Sequence, residues 1–444
     1  MTTTQEFARG LNKLAQDRLP EPVIDEATRS VLNVIGTSIG AARYDEIDIL
    51  VANALETGAQ DRPSRVPGRP EYLDMMSAAL AFGAAAHIDD FDDTHLATVV
   101  HPAASVLGAA LPLVARSEVS GLGLVQAVAL GVEAQLRVAV AMTPWHYDDG
   151  WHITGTVGPI GAAVTAGVLL GLQEAGLTSA IAIASSLSLG QRQGFGTMVK
   201  PFHPGKAAAN GLLAAGLAAQ GFTGSPTALE GPRGYFACLS PEVELEVLCA
   251  GLGEQWELLR NTYKPYPCGI VSHPAIEAAE RLHDRMNGAE PTAVRVHCHP
   301  LVVELTGDPT PTTGLEARFS TIHGVAAGLV DGVVGLRQYD DARVIAPEPI
   351  AMRARTVLLP SEAVARAAAA VEVDLPDGRQ LTERVSEARG SLERPLSDTE
   401  LDAKVTALVE QTLPGRSQHI IDVVRSLPTA DSTTGLLAAI VPED

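Results

Sequence analysis

Apolar residues recur with a helical period through roughly the first 260 positions, and glycine and proline mark the breaks between apolar segments. None of these segments alternates as a strand does, so the pattern predicts helices. They are expected at 22–39, 72–87, 103–115, 121–140, 160–171, 177–189 and 206–220. The uncharged stretch 153–173 is long enough to cross a bilayer, but its glycines and the absence of flanking basic residues favour a buried helix.

The pattern changes after about residue 265, where alternating apolar and polar positions predict strands. These lie at 292–300, at 353–359 and in a hairpin over 370–385 whose turn is Asp377-Gly378. Helices are expected at 272–286 and 322–336, and a capping box at Ser397 opens a helical tail. The predicted fold class is mainly α: a large all-α domain over 1–266, a smaller α+β domain over 267–393, and helices over 394–444 that return to the first domain.

The composition is that of an ordinary folded protein, with 46% hydrophobic and 19% charged residues. A net charge of -21 disfavours nucleic acid and anionic membrane surfaces as partners. The four cysteines are widely separated, which favours free thiols in a reducing compartment, and the first residues lack a signal-peptide pattern. We therefore expect a cytoplasmic protein.

A run of 55 residues, 175–229, contains no aspartate or glutamate although the chain is acidic. Arg192, Lys200, His203 and Lys206 lie within it, among glycines. An acidic protein needs such a patch, free of carboxylates, to hold a small anionic ligand. The alternative is a buried pair of alanine-rich helices, but buried helices avoid lysine as firmly as glutamate.

A second cluster combines four aspartates at 89, 90, 92 and 93 with nearby histidines, among them His101. Pro102 favours a helix start, which would leave His101 at the positive end of that helix. A solvated acidic loop is one alternative. Another is the aspartate-rich magnesium site of isoprenoid synthases, but no second acidic motif follows and aromatic residues are scarce.

Two further segments carry candidate groups. Tyr147 and His152 lie in a glycine-rich stretch whose backbone N–H groups could approach an anion, although His152 could equally be a core histidine. Lys264 lies between tyrosines and prolines where the helical pattern ends, so it would be placed at a seam between domains, where ligands often bind. A rigid linker with an exposed lysine is the alternative.

Taken together, four motifs resemble the MmgE/PrpD (2-methylcitrate dehydratase) family. They are Asp90-Phe-Asp-Asp-Thr94 with His101-Pro102, Gly150-Trp-His152-x-Thr-Gly-Thr156, Lys200-Pro-Phe-His203-Pro-Gly, and Lys264-Pro-Tyr-Pro-Cys-x4-His273. The resemblance implies a helical domain with an α+β lid, a homodimer, a cleft between the domains, and no metal or organic cofactor. It also implies the site residues Asp90, Thr94, His101, His152, Lys200 and Lys264. The decarboxylases of the family have a tyrosine where His323 stands in this chain.

The resemblance implies a cofactor-independent lyase, a dehydratase or decarboxylase, acting on a small di- or tricarboxylic acid such as 2-methylcitrate or cis-aconitate. Lys200 and Lys264 are expected to bind carboxylates, supported by Arg192 and His203. His101 and His152 would transfer protons, in competition with Tyr147 and Lys200. Asp90 would orient a histidine, Thr94 would hydrogen-bond the substrate or the loop, and His323 would donate a hydrogen bond with a pKa near neutrality.

Two alternatives stay open from the sequence. An epimerase acting at the carbon alpha to a carboxylate would use the same acid–base groups on opposite sides of one carbon. A catalytically inactive relative would bind a metabolite or a partner instead, although the ionisable residues of the motifs are largely present.

Overall fold

The computed structural model describes residues 1–443, and helices make up most of its N-terminal region. These helices are α1 (Thr3–Gln16), α2 (Glu21–Gly40), α3 (Asp45–Thr57), α4 (Met75–His87), α5 (Pro102–Val114), α6 (Gly121–Ala141), α7 (Trp145–Asp148), α8 (Ile153–Leu169), α9 (Glu174–Ser185), α10 (Val199–Ala219) and α11 (Tyr235–Leu239). Local sequence explains several starts: Thr2 and Gln5 form a capping box at α1, and Pro102 occupies the first turn of α5.

Helix α10 lies at the centre of this region and packs against α4, α5 and α8. Glycine permits the close approach, because a Cβ atom on Gly83 of α4 would lie 2.7 Å from the Cα atom of Gly205 of α10. A Cβ atom on Gly158 would likewise lie 2.9 Å from that of Ala207. Gly158 therefore brings two helices together.

Two helices begin earlier than the apolar pattern predicts, α8 at Ile153 and α10 at Val199. Lys200 and His203 consequently lie on the first turns of a long helix. Helix α6 is long and apolar enough to cross a membrane by length and composition, but 89% of its most apolar window is buried inside the molecule. The core helix of a folded protein passes the same test.

Two pairs of short strands correct the expectation of an all-α N-terminal region. Strand β1 (Ser64–Arg65) pairs antiparallel with β2 (Tyr72–Leu73), where a loop and the start of a helix were predicted. Strand β3 (Asp93–His95) pairs antiparallel with β4 (Asn261–Tyr263) and places Thr94 opposite Thr262. The second pair joins segments 168 residues apart in sequence.

The following region contains a four-stranded sheet in the order β6-β5-β7-β8. Its strands are β5 (Ala293–Cys298), β6 (Thr356–Pro360), β7 (Ala369–Asp374) and β8 (Gln380–Val385), and only the β5–β6 pair is parallel. The β7–β8 hairpin and its turn are as predicted, with Gly378 at φ +85°. The helices here are α12 (His273–Met286), α13 (Pro300–Thr306), α14 (Gly314–Ala317), α15 (Thr321–Asp331), α16 (Asp341–Val344) and α17 (Pro347–Arg353).

The sheet region has its own hydrophobic cluster, to which the alternate buried residues Val294, Val296 and Cys298 of β5 belong. The chain ends in α18 (Asp398–Val409), α19 (Ser417–Arg425) and α20 (Thr434–Ala439). The predicted capping box opens α18, and both α18 and α19 pack on α2. The protein is thus mainly α with one small mixed sheet. The exact domain boundaries stay a prediction.

Candidate active site

Segments distant in sequence meet around the aspartate-rich segment 89–93. This segment follows α4 and leads into β3, and Lys264 comes directly after the partner strand β4. Lys200 reaches the same place from the first turn of α10. Asp90 has a φ of +50°, in the left-handed region, and such backbone strain at a buried charged residue is typical of functional sites.

Asp90 is the electrostatic centre of this cluster. Its Oδ1 accepts a hydrogen bond from Lys200 Nζ, and its Oδ2 lies 2.9 Å from Lys264 Nζ. All three side chains are buried. Burial alone would raise the pKa of Asp90, but the two ammonium groups outweigh it and hold this pKa well below the usual range. Two cations therefore face one carboxylate, a balance that suits a further anion.

A polar cluster of His87, Asp92, His101 and Thr94 lies beside the ion cluster. The Nδ1 atom of His101 is 3.2 Å from Asp92 Oδ1 and 3.1 Å from Thr94 Oγ1. Its Nε2 atom is 3.9 Å from Asp90 Oδ1. Burial lowers the pKa of His87 to about 4, so His87 is neutral and donates to Asp92 across 2.7 Å. The Nδ1 atom of His101 also lies 2.9 Å from the Asp93 carbonyl oxygen, so this backbone oxygen and Thr94 orient the ring, with the Asp92 carboxylate close by.

His152 contacts another histidine instead of a carboxylate. The Nδ1 atoms of His152 and His203 are 2.8 Å apart, so one ring donates and the other accepts. Burial, reinforced by Lys200, holds the pKa of His152 well below its usual range and lowers that of His203 to about 4. Both rings are neutral near pH 7. His203 therefore positions His152 and supplies no positive charge, and its predicted support in carboxylate binding stays a prediction.

Arg192 also differs from its prediction, because it lies outside the cavity that the cluster surrounds. Its guanidinium stacks 4.3 Å from the centre of the Tyr147 ring and forms a 2.9 Å ion pair with Glu304. Arg192 is thus neutralised by a residue of the sheet region and holds Tyr147 in place. Burial raises the pKa of Tyr147 to about 12, so its phenol can donate a hydrogen bond but is not a base at neutral pH.

The central cavity, as we call it below, has a volume of about 50 Å³. Every predicted ionisable residue that lines it comes from the chain before residue 266. The sheet region contributes uncharged residues. The full lining is Asp90, Thr94, Val99, His101, Tyr147, His152, Phe195, Lys200, Lys264, Gly269, Ile270, Val271, Leu305, Thr306 and Phe319.

His323 and Lys206 do not line the central cavity. The Nε2 atom of His323 lies 2.8 Å from the Gln338 carbonyl oxygen, and its ring packs against Tyr339. Burial lowers the pKa of His323 to about 4, not near neutrality as expected. His323 is therefore a packing residue of the sheet region. Lys206 lies further along α10, half-buried, beyond the turns that carry Lys200 and His203.

Lys404, a buried lysine on α18, was not predicted from the sequence as a site residue. Its Nζ donates to the carbonyl oxygens of Phe91 and Lys264 at 2.6 and 3.0 Å, and to Asn33 Oδ1 at 2.8 Å. One ammonium group thereby joins the backbone beside Asp90 to the backbone of Lys264. Burial lowers the pKa of Lys404 to about 7. Because its partners are mostly backbone carbonyls, the sequence carries no signal for this role.

The other two aspartates of the segment have separate partners. Asp89 forms an ion pair with Arg318 of the sheet region. Asp93 accepts hydrogen bonds from Asn261 at 2.7 Å and from Ser30 at 3.1 Å, and burial raises its pKa to about 7. The four aspartates therefore do not converge on one point, as an aspartate-rich magnesium site would require.

Within residues 1–443, one group of side chains has the spacing to hold a metal ion: His87, Asp90, Asp92 and His101, whose possible ligand atoms lie within 4.8 Å of one another. Lys200 and Lys264 already bind the Asp90 carboxylate. A divalent cation there would lie beside two ammonium groups, and their repulsion is strong in a buried site. The donor set thus fits an ion-pair cluster better than a metal centre.

The fold and the site define a mainly helical protein in which acid–base side chains line one small buried cavity. The chain belongs to the MmgE/PrpD family, since the model of that family's N-terminal domain matches residues 5–248 and that of its C-terminal domain matches residues 266–429. The resemblance drawn from the four sequence motifs is confirmed.

Curated relatives match along almost the whole chain. The chain is 27% identical to the human cis-aconitate decarboxylase, over 96% of this chain and 91% of that protein. It is 28% identical to the mouse cis-aconitate decarboxylase over the same shares. It is 27% identical to the cis-aconitate decarboxylase of Aspergillus terreus, over 98% of this chain and 95% of that protein.

Proposed function

We propose that this protein is a lyase that decarboxylates a cis-aconitate-like di- or tricarboxylic acid, by acid–base chemistry and without a metal or organic cofactor. The observation that carries the proposal is the pair of buried ammonium groups, Lys200 and Lys264, beside neutral His152 in one cavity. The names of the relatives favour decarboxylation over dehydration.

The charges suit a reaction that builds up carbanion character next to a carboxylate. When the C–C bond breaks and carbon dioxide leaves, its electron pair spreads onto the remaining substrate and a neighbouring carboxylate. Fixed ammonium groups at Lys200 and Lys264 can stabilise that charge at little reorganisation cost, because they are already held in place by Asp90. The two ammonium groups accelerate the reaction only if they stabilise the charge of the transition state more strongly than that of the bound substrate.

A proton must then reach the carbon, and Lys200 is our candidate for the acid. Burial lowers the pKa of Lys200, although Asp90 opposes this, and a lower pKa makes its proton easier to transfer. After the transfer, solvent would restore the proton to the neutral amine. Tyr147 is the competing donor, since it also lines the cavity and keeps its proton near pH 7.

We also propose that the sheet region works as a lid over the charged residues. Its Ile270, Leu305 and Phe319 line the central cavity without adding charge, which would exclude water from the reacting groups. The ion pair between Arg318 and Asp89 ties this region to the aspartate-rich segment.

The reaction is tested by incubating the protein with cis-aconitate, citrate and 2-methylcitrate in deuterated water, with Lys200→Ala as control. Carbon dioxide release with one deuterium in the product supports the proposal. Formation of an alkene without carbon dioxide would indicate a dehydratase, and deuterium exchange without net conversion an epimerase. A complete lack of turnover and exchange with these acids and with their alkyl-substituted analogues would contradict the proposed activity.

Cofactor independence is tested separately by exhaustive dialysis against a chelator. We expect activity to be retained, because Asp90 is already paired with two lysines. Loss of activity that magnesium restores would contradict this part of the proposal and would favour metal binding by His87, Asp90, Asp92 and His101.

A further inference from the structure

A second cavity, of about 280 Å³, adjoins the central cavity; we call it the side cavity. The two share five lining residues, Val99, Tyr147, Ile270, Val271 and Leu305. An apolar cavity of about 150 Å³ accepts benzene. The central cavity, at about 50 Å³, therefore has room for only the head of a six-carbon acid, and the side cavity is a neighbouring space that could take the rest.

The wall of the side cavity is mainly apolar. Leu96 and Leu301 line it together with the aliphatic residues that it shares with the central cavity. Its charged members lie towards solvent: Asp148 and Arg366 are exposed, and Arg389 is half-buried and faces Glu400 at 3.6 Å. Charge at this cavity is therefore confined to groups that water reaches.

Most buried polar atoms of the side cavity have hydrogen-bond partners, whereas the Nδ1 atom of His273 has none within residues 1–443. Thr98 Oγ1 lies 2.9 Å from His95 Nδ1, Ser391 Oγ accepts from the Arg394 N–H, and His273 Nε2 lies 3.3 Å from the Cys268 carbonyl oxygen. Burial also lowers the pKa of His273 to about 3, so this ring is neutral. In the part of the chain that the structure describes, this wall has no buried cation. A carboxylate placed there would lose water without gaining an ion pair, whereas an apolar group would gain from burial.

We propose that the substrate is an acid with an apolar arm of about four to six carbons: its carboxylate head binds at Lys200 and Lys264, and its arm fills the side cavity. The inference rests on the proposed function. It narrows the substrate class from small polycarboxylates in general to alkyl-substituted ones.

The binding of unreactive acids tests the proposed apolar arm of the substrate independently of the reaction. The affinities of succinate, methylsuccinate and butylsuccinate for the full-length protein are measured by calorimetry. Each added methylene that becomes buried should strengthen binding about fourfold, so butylsuccinate should bind about 60-fold more tightly than methylsuccinate. Tricarballylate, which carries a third carboxylate in place of the alkyl arm, should bind more weakly than butylsuccinate.

A matched pair of variants tests whether the extra affinity for butylsuccinate arises in the side cavity. Ala367 lines the side cavity and is exposed, so Ala367→Phe should fill that space without disturbing the fold. Ala365 is exposed two residues away and lines neither cavity. We expect Ala367→Phe to reduce the advantage of butylsuccinate over methylsuccinate at least tenfold, and Ala365→Phe to keep it.

The inference is overturned by equal affinity for methyl- and butylsuccinate, by tighter binding of tricarballylate than of butylsuccinate, or by an equal response of the two variants. Each of these results would leave the proposed function intact, because the acids still bind. Failure of every acid to bind, cis-aconitate included, would overturn the proposed function together with its extension.

Discussion

The two sides of the central cavity are built in different ways. The helical side carries Asp90, His101, His152, Lys200 and Lys264, all buried and each with a polar partner. The sheet side, as far as residues 1–443 show, adds no ionisable side chain to the lining. Its contribution is aliphatic and aromatic surface. The helical side thus carries the charge and the groups to which we assign proton transfer, and the sheet side sets the shape of the space.

The difference follows from the cost of burying charge. A buried ion is tolerated only where partners are held rigidly around it, and the helical side supplies them through the closely packed α4–α10 contact and the β3–β4 pair. An apolar wall needs no such partners. Substitutions on the sheet side can therefore alter substrate fit while the charged residues keep their positions.

The comparison is tested most severely by Lys200→Ala, with Lys206→Ala on the same helix as the matched control. We expect Lys200→Ala to lower kcat/KM at least about 100-fold, the usual scale for a lost acid–base group. Lys206→Ala should lower it less than about threefold, since surface substitutions seldom have larger effects. Steady-state kinetics on a confirmed substrate, with circular dichroism as a check of folding, provides the measurement. Near-normal turnover in Lys200→Ala would show that the charge on the helical side is not needed.

A smaller effect is expected from Val271→Ala on the sheet side. Val271 lines both the central and the side cavity, and the change removes two of its side-chain carbon atoms. At about fourfold for each buried group, KM should rise by at most about fifteenfold while kcat stays within about threefold. The two kinetic constants must be measured separately. A fall of kcat by more than about tenfold would contradict the assignment of the chemistry to the helical side and of the cavity's shape to the sheet side.

The sequence allowed much of the charged side to be predicted. Asp90, His101, His152, Lys200 and Lys264 lie in four motifs, and the resemblance of these motifs to the MmgE/PrpD family singled them out. The long helices and the 370–385 hairpin could also be predicted, because their periodicity extends over many residues.

The parts that could not be predicted depend on contacts between distant segments. Strands β3 and β4 have three residues each, too few for any periodic signal. Arg192 forms an ion pair with Glu304 outside the cavity, and His323 contacts the Gln338 carbonyl oxygen. No local sequence pattern could identify either partner. Lys404 was missed for the same reason.

The cost of burying charge on the helical side can be measured through Asp93. Its pKa is about 7 in the folded protein, above its ordinary value of 3.8. The folded state therefore binds the proton more tightly, and the stability that Asp93 contributes at low pH is lost as pH rises through 7. Asp93→Asn lacks this titration. As the pH rises from about 4 to 7, the unfolding free energy of the variant should therefore increase relative to that of the unmodified protein, by at most about 1.4 kcal/mol per pH unit.

Asn261 makes this variant structurally reasonable, because its Oδ1 has no hydrogen-bond partner and could accept from the new amide after a flip. Urea unfolding of both proteins at pH 5, 6, 7 and 8 gives the comparison. A constant difference in unfolding free energy across this range would show that Asp93 does not titrate there, and that the helical side holds its charge without the predicted cost.

The smallest effect is expected from His323→Gln, which asks whether the sheet side takes any part in the chemistry. A glutamine amide can replace the ring N–H that faces the Gln338 carbonyl oxygen, so folding should be preserved. Since His323 lies outside the central cavity and is neutral near pH 7, we expect kcat/KM to change less than about threefold. His152→Gln, the same exchange on the helical side, removes a ring that the sequence predicts to transfer protons and should cost at least about 100-fold. If the two variants lost activity to a similar extent, an ionisable group of the sheet side would be needed for turnover, and the sheet region could no longer be regarded as shaping the cavity alone.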